Sequence, residues 1–162
     1  MIQKPYIPIT ISLLFALMLS MLPLPGWINH IRPDWVTLVL IYWAMALPLT
    51  AGVMTAFVFG LLLDVSQSTL LGQHALALVI IIYLVQRLYL RIRVYTLIQQ
   101  AIFVGVLLAI KQLVVLWVSG ITNNAPDITL YFLPTLTGVF IWPWLFILLR
   151  DIRRRFCHSQ HR

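Results

Sequence analysis

The sequence predicts an all-α, polytopic integral membrane protein with six transmembrane helices. Three observations carry that prediction. Of 162 residues, 62% are hydrophobic and 9% charged, against about 45–50% and about 25% in soluble domains. The apolar residues fall into blocks bounded by proline, glycine or charge. The basic residues collect at one gap between blocks and in the C-terminal tail. A soluble core of this size leaves about a third of the unfolded chain's area exposed, so it cannot hide this much apolar surface. Lipid is the solvent for most of the chain.

A bilayer core of ~30 Å takes about 20 helical residues. The first block, 7–22, follows a short N-terminus carrying Lys4 and ends at Pro23-Leu24-Pro25-Gly26, which a helix does not cross intact. Its basic start and apolar run resemble a signal peptide, but no small-x-small cleavage pattern follows, so it is read as a retained span. Asp34, after Pro33, is placed to cap the second block, 34–47. Pro48, Thr50 and Gly52 interrupt the pattern before the third block, 50–63, which stops at Asp64. As one helix, 34–64 would run ~45 Å, too long for the hydrocarbon without a steep tilt. Two short antiparallel helices fit better, each thin for a full span and so tilted or partly covered by neighbours. A five-helix count remains open. Residues 66–73 are polar and loop-like. The fourth block, 74–90, is closed by Arg87, Arg91 and Arg93; the fifth is 97–119; a loop with Asn123, Asn124 and Pro126 follows; the sixth is 129–149. Residues 150–162 form a basic tail.

Charge placement orients the chain. There are 11 Lys+Arg, four Asp+Glu and a formal net charge of +7. With six helices and cytoplasmic termini, nine basic residues fall inside, Arg32 alone falls outside, and Lys111 lies within a helix. A five-helix model gives the same bias, so both models place the 87–96 loop and the C-terminus in the cytoplasm. Trp27, Trp35, Trp117 and Tyr131 sit at outer boundaries, and Tyr89 and Tyr95 at the inner one. The net charge therefore reports topology and not nucleic acid as a partner. Arg150, Arg153, Arg154 and Arg155 lie against the membrane, where each attracts anionic lipid by about 1 kcal/mol.

Few polar residues remain elsewhere, and they are the candidate sites. Gly52, Ala56, Gly60 and Asp64 recur every four residues on one helical face, where small side chains admit a second helix. The plain reading is a packing seam ending in an interfacial acid; the functional one makes Asp64 an anchor for a partner or polar network at the outer surface. Arg32-Pro33-Asp34-Trp35 reads as a helix cap with a snorkelling arginine and a Trp anchor, or as a contact surface for another protein. Lys111, beside Gln112, lies inside the fifth block, and an ionisable residue at that depth is a functional hypothesis by default. Asp64 is its nearest conceivable intramolecular partner, unless it snorkels outward. Ala101, Gly105 and Ala109 make a second small seam on another face.

Nothing points to catalysis, a metal or a cofactor. There is no G-x-S-x-G, H-E-x-x-H or phosphate-cradling glycine loop. The lone Cys157 excludes an internal disulfide. His74, at a helix start, reads as a cap rather than a catalyst.

One stretch carries a resemblance. Arg32-Pro33-Asp34-Trp35 leads into Leu38-Val39-Leu40-Ile41-Tyr42-Trp43-Ala44-Met45-Ala46-Leu47-Pro48. Phe57-Val58-Phe59-Gly60-Leu61-Leu62-Leu63-Asp64-Val65 follows, then Ser68-Thr69-Leu70-Leu71-Gly72, and Trp142-Pro143-Trp144 precedes the basic tail. Over nearly its whole length the chain resembles the bacterial rod shape-determining MreD family, in its shorter Gram-negative form. The resemblance implies a non-catalytic, multi-pass inner-membrane scaffold with no cofactor. It would bind the bitopic protein MreC and link MreB filaments to the peptidoglycan synthase RodA and its transpeptidase. It also implies a distant likeness in fold to the substrate-binding subunits of energy-coupling-factor transporters. That likeness suggests a different function, a small-molecule or lipid-binding membrane subunit. The segment around Lys111 matches no signature of the family.

Overall fold

The computed structural model describes residues 6–122 and 127–158, with only the backbone of Cys157 and His158. Lys4, Asn123, Asn124, Pro126, His161 and Arg162 lie outside these residues. The described chain is α-helical, in the order α1 (Tyr6–Met21), α2 (Gly26–Asn29), α3 (Trp35–Ala46), α4 (Val53–Gln67), α5 (Gln73–Ile92), α6 (Leu97–Ile121), α7 (Ile128–Tyr131) and α8 (Leu133–His158).

Local chemistry explains most of the boundaries. Pro23 and Pro25 end α1 and permit only the one-turn α2 before Pro33. The Asp34 carboxylate accepts a hydrogen bond from the Thr37 backbone N–H at 3.4 Å and starts α3. Leu47 leaves the helical region ahead of Pro48 and stops it. α4 ends at Ser68, a left-handed residue (φ 53°) whose N–H bonds the Asp64 and Val65 carbonyls. Gly72 (φ 99°) supplies the second reversal before α5, a conformation that costs glycine least. Thr96 and Gln99 close a reciprocal capping box at the start of α6.

The boundaries differ from the sequence reading in three places. α4 runs past Asp64 to Gln67, because the left-handed stop comes at Ser68 and not at the first charge. The last block divides at Phe132 into α7 and α8. α8 then continues through Pro143 and on to His158, so most of the basic tail, residues 150–158, is helical.

Three segments are long and apolar enough to cross a bilayer: Gln73–Ile92, Leu97–Ile121 and Ile128–Phe156. Three shorter apolar helices accompany them: Tyr6–Met21, Trp35–Ala46 and Val53–Gln67. α3, the shortest of the six, sits at the centre and packs on α1, α5, α6 and α8. Every residue from Val36 to Met45 is buried, as expected of a helix apolar on all faces. Trp43 is fully buried, and its indole N–H donates to the Ser12 hydroxyl of α1 at 2.8 Å.

Small residues set the spacing of the outer helices. A Cβ on Gly60 would lie 2.4 Å from the Ala75 Cα, so α4 and α5 meet backbone to backbone. With Ala56 fully buried beside it, the Gly52–Asp64 face is occupied by α5 as a packing seam within the chain. Gly105 of the second seam faces Val139 of α8 at a comparable 2.5 Å. Successive apolar helices alternate in direction. The end of α1, the start of α3, the end of α4, and the starts of α5 and α8 therefore gather at one end of the bundle. The opposite end holds Arg93 and Arg153.

Candidate functional site: a polar cleft between helix ends

The end of the bundle opposite the arginines contains a cleft of about 500 Å³. His30, Arg32, Asp34, His74, Lys111 and Tyr131 line it, so five helices or their flanking turns contribute. Its floor is Lys111 of α6, which is 4% exposed and lies about 15 Å below the last residue of its helix at 1.5 Å per residue.

Lys111 is not paired with Asp64, the partner its sequence position suggested. Its ammonium forms a salt bridge with the Asp34 carboxylate and donates to the Thr37 hydroxyl at 2.8 Å. The reason is geometric. α3 is short and central, so its first turn reaches down to the depth of Lys111. Asp64 is engaged elsewhere.

Asp64 is fully buried beneath the cleft. Its carboxylate accepts from the backbone N–H of Gly72 at 2.8 Å and of His74 at 2.9 Å. The Thr69 hydroxyl at 3.1 Å, the His74 Nδ1 at 2.9 Å and the Ala75 backbone N–H at 3.4 Å complete the set. These donors belong to the α4–α5 turn and the first turn of α5, so one carboxylate closes the turn and caps a helix N-terminus. A group this saturated has no capacity left for an external partner. The His74–Asp64 pair was not apparent from the sequence; the only signal was an aspartate and a histidine flanking a short polar loop.

Arg32 caps the end of α1. Its guanidinium donates to the Leu22 carbonyl at 3.1 Å and to the Leu19 carbonyl, where a cation meets the negative end of the helix dipole. Pro33 and Trp35 flank it, half-buried. Gln112 accepts from the Thr135 hydroxyl and ties α6 to α8. The structure thus brings Arg32, Pro33, Asp34 and Lys111 to the cleft, with Trp35 beside it and Asp64 and Gly72 beneath it. Gly52, Ala56 and Gly60 lie along α4 away from it.

Among the described residues the Lys111 ammonium and the Asp34 carboxylate are paired with each other, and the Asp64 carboxylate with donors of its own turn. Among the described residues no group of three His, Cys, Asp or Glu side chains is placed to hold a metal ion.

The family described as "rod shape-determining protein MreD" matches residues 2–152. The chain belongs to the MreD family. The rod shape-determining protein MreD of Haemophilus influenzae is 31% identical over 140 residues, which cover 86% of this chain and 86% of that relative. No solved structure matches. Membership of MreD implies a membrane protein that acts in determining rod cell shape, in a family not known for catalysis. The match spans the cleft, its Lys111 floor and the seam between α4 and α5.

Proposed function

We propose that this chain is a non-catalytic scaffold of the cell-elongation machinery in the bacterial inner membrane. On this reading it binds an MreC-like bitopic protein and through it links MreB filaments to RodA and its transpeptidase. The observation that carries the proposal is the MreD match over residues 2–152. Six apolar helices of alternating direction support six spans with cytoplasmic termini, the arrangement that a likeness to energy-coupling-factor subunits also implies. The positive-inside bias then places Arg93 and Arg153 in the cytoplasm and the polar cleft at the outer face. There Arg32–Trp35 and the cleft mouth offer polar and aromatic anchors to a partner. Depletion of the protein from a rod-shaped host is expected to give round cells, and the tagged protein to co-purify an MreC-like partner. Normal rods after complete depletion would sink the proposal.

The cleft itself favours a second reading, a small-molecule or lipid-binding subunit, because convergent polar groups line a cavity of about 500 Å³. Native mass spectrometry of the purified chain separates the two. A stoichiometric small ligand supports this reading, and a bare chain that still binds its partner removes it.

A further inference from the structure

The basic end of the bundle holds a second recess, smaller and of a different character. Its volume is about 70 Å³, and Tyr42, Arg93, Gln100, Phe146 and Arg153 form its walls. Two of these walls carry polar atoms with no hydrogen-bond partner among the described residues. The Tyr42 hydroxyl has no partner although the residue is 2% exposed, and neither has the Gln100 Oε1 of a residue 5% exposed. The Tyr42 ring is held edge-on by Trp43 and Phe146, at 5.5 and 5.4 Å between centroids, which aims the hydroxyl. The Gln100 side chain lines the recess, and its amide is pinned there by donation to the Ile92 carbonyl at 3.0 Å. An orphaned buried polar group is costly to a fold, so two in one recess, beside two arginines, point to a polar, anionic ligand.

We propose that this recess binds the headgroup of an anionic glycerophospholipid of the phosphatidylglycerol type. The phosphate takes charge-assisted hydrogen bonds from Arg93 and Arg153 and a further one from the Tyr42 hydroxyl. A headgroup hydroxyl donates to Gln100 Oε1, a contact that a phosphate diester lacking hydroxyls cannot make. Val94 and Ile98, both largely exposed on either side of the loop beside Arg93, provide apolar surface for acyl chains. The recess admits a few waters or one phosphate group. Waters satisfy the hydroxyl and the amide but leave Arg93 and Arg153 without a counter-charge among the described residues. Basic recesses between transmembrane helices are where anionic headgroups bind. The inference goes beyond the scaffold role and does not depend on it.

The test uses the full chain purified in a neutral detergent, with its melting temperature read as phosphatidylglycerol, phosphatidylcholine, inorganic phosphate or a soluble acidic peptide is added. Phosphatidylglycerol is expected to raise it where the other three do not. Arg93→Gln with Arg153→Gln is expected to abolish the rise. Arg87→Gln with Arg91→Gln, which removes the same charge from residues outside the recess on the same helix end, retains it. Tyr42→Phe keeps or raises the lipid-free melting temperature and weakens the lipid response by about tenfold in concentration, which keeps the test decisive if the arginine pair fails to fold. An equal rise with phosphatidylcholine, with phosphate alone or with the peptide overturns the proposal. So does an undiminished rise in the Arg93/Arg153 variant.

Discussion

At the scale of single residues, the Lys111–Asp34 pair sets the cost of the polar cleft. Breaking a buried ion pair from one side leaves the other charge uncompensated. Asp34→Asn is expected to lower stability by roughly 3 kcal/mol, at the low end for a buried pair because the Asp34 side chain keeps 23% exposure. Joining it to Lys111→Met is expected to restore much of the loss, and a double-mutant cycle on purified protein measures the coupling. The two losses simply adding would show that the pair is not coupled. Lys111 was legible in the sequence as an outlier in an apolar run. Its partner was not, because the two are 77 positions apart and meet only through the shortness of α3. Tyr42 and Gln100 gave no signal either, since one tyrosine and one glutamine near helix ends are ordinary until burial shows them unpartnered.

At the scale of elements, the α4–α5 seam is the sharpest constraint. Alanine in place of glycine adds helix propensity worth ~1 kcal/mol. At Gly60 that gain meets the Ala75 backbone at 2.4 Å, and overpacking costs about 1–3 kcal/mol or more where backbone must part. Gly60→Ala is expected to destabilise. Gly120→Ala in α6, with open space around it, is expected to be neutral or mildly stabilising. Melting temperatures of the two variants check the contrast, and equal effects would mean that helix propensity alone governs both. The seam was readable from spacing, because glycine and alanine four apart mark a face of close approach. The break at Phe132 had a local signal in Pro134, whose missing N–H and ring oppose a continuous helix through that turn, but it was hidden inside an apolar run. The helical extension into the arginines was hidden as well: Arg and Lys are good helix formers, and charge marks the end of a span more reliably than the end of a helix.

At the scale of the molecule, composition and block pattern are enough to read a helical membrane protein, and the sequence pattern around 32–72 leads to the MreD family. What they do not reveal is the layering of the bundle. Three helices carry the length of a bilayer and three do not, and the short central one is the reason. α3 needs no lipid-facing side, since the surrounding helices already supply its solvent.

That enclosure also says something about birth order. α3 leaves the ribosome before α5, α6 and α8, three of the four helices that cover it. At about 18 Å for its 12 residues it is too short to rest in a bilayer alone, and it carries Asp34 at its head. Until the later helices arrive, it has no settled place. A chain truncated after α4 is therefore expected to leave cysteines introduced at Val39 or Tyr42 open to a membrane-impermeant thiol reagent, and the full chain to hide them. Protection already complete in the truncated chain would show that α1 and α4 suffice. Assembly of this bundle is a closing of ranks around a helix that waits, and the last span made is among those that seal the first core.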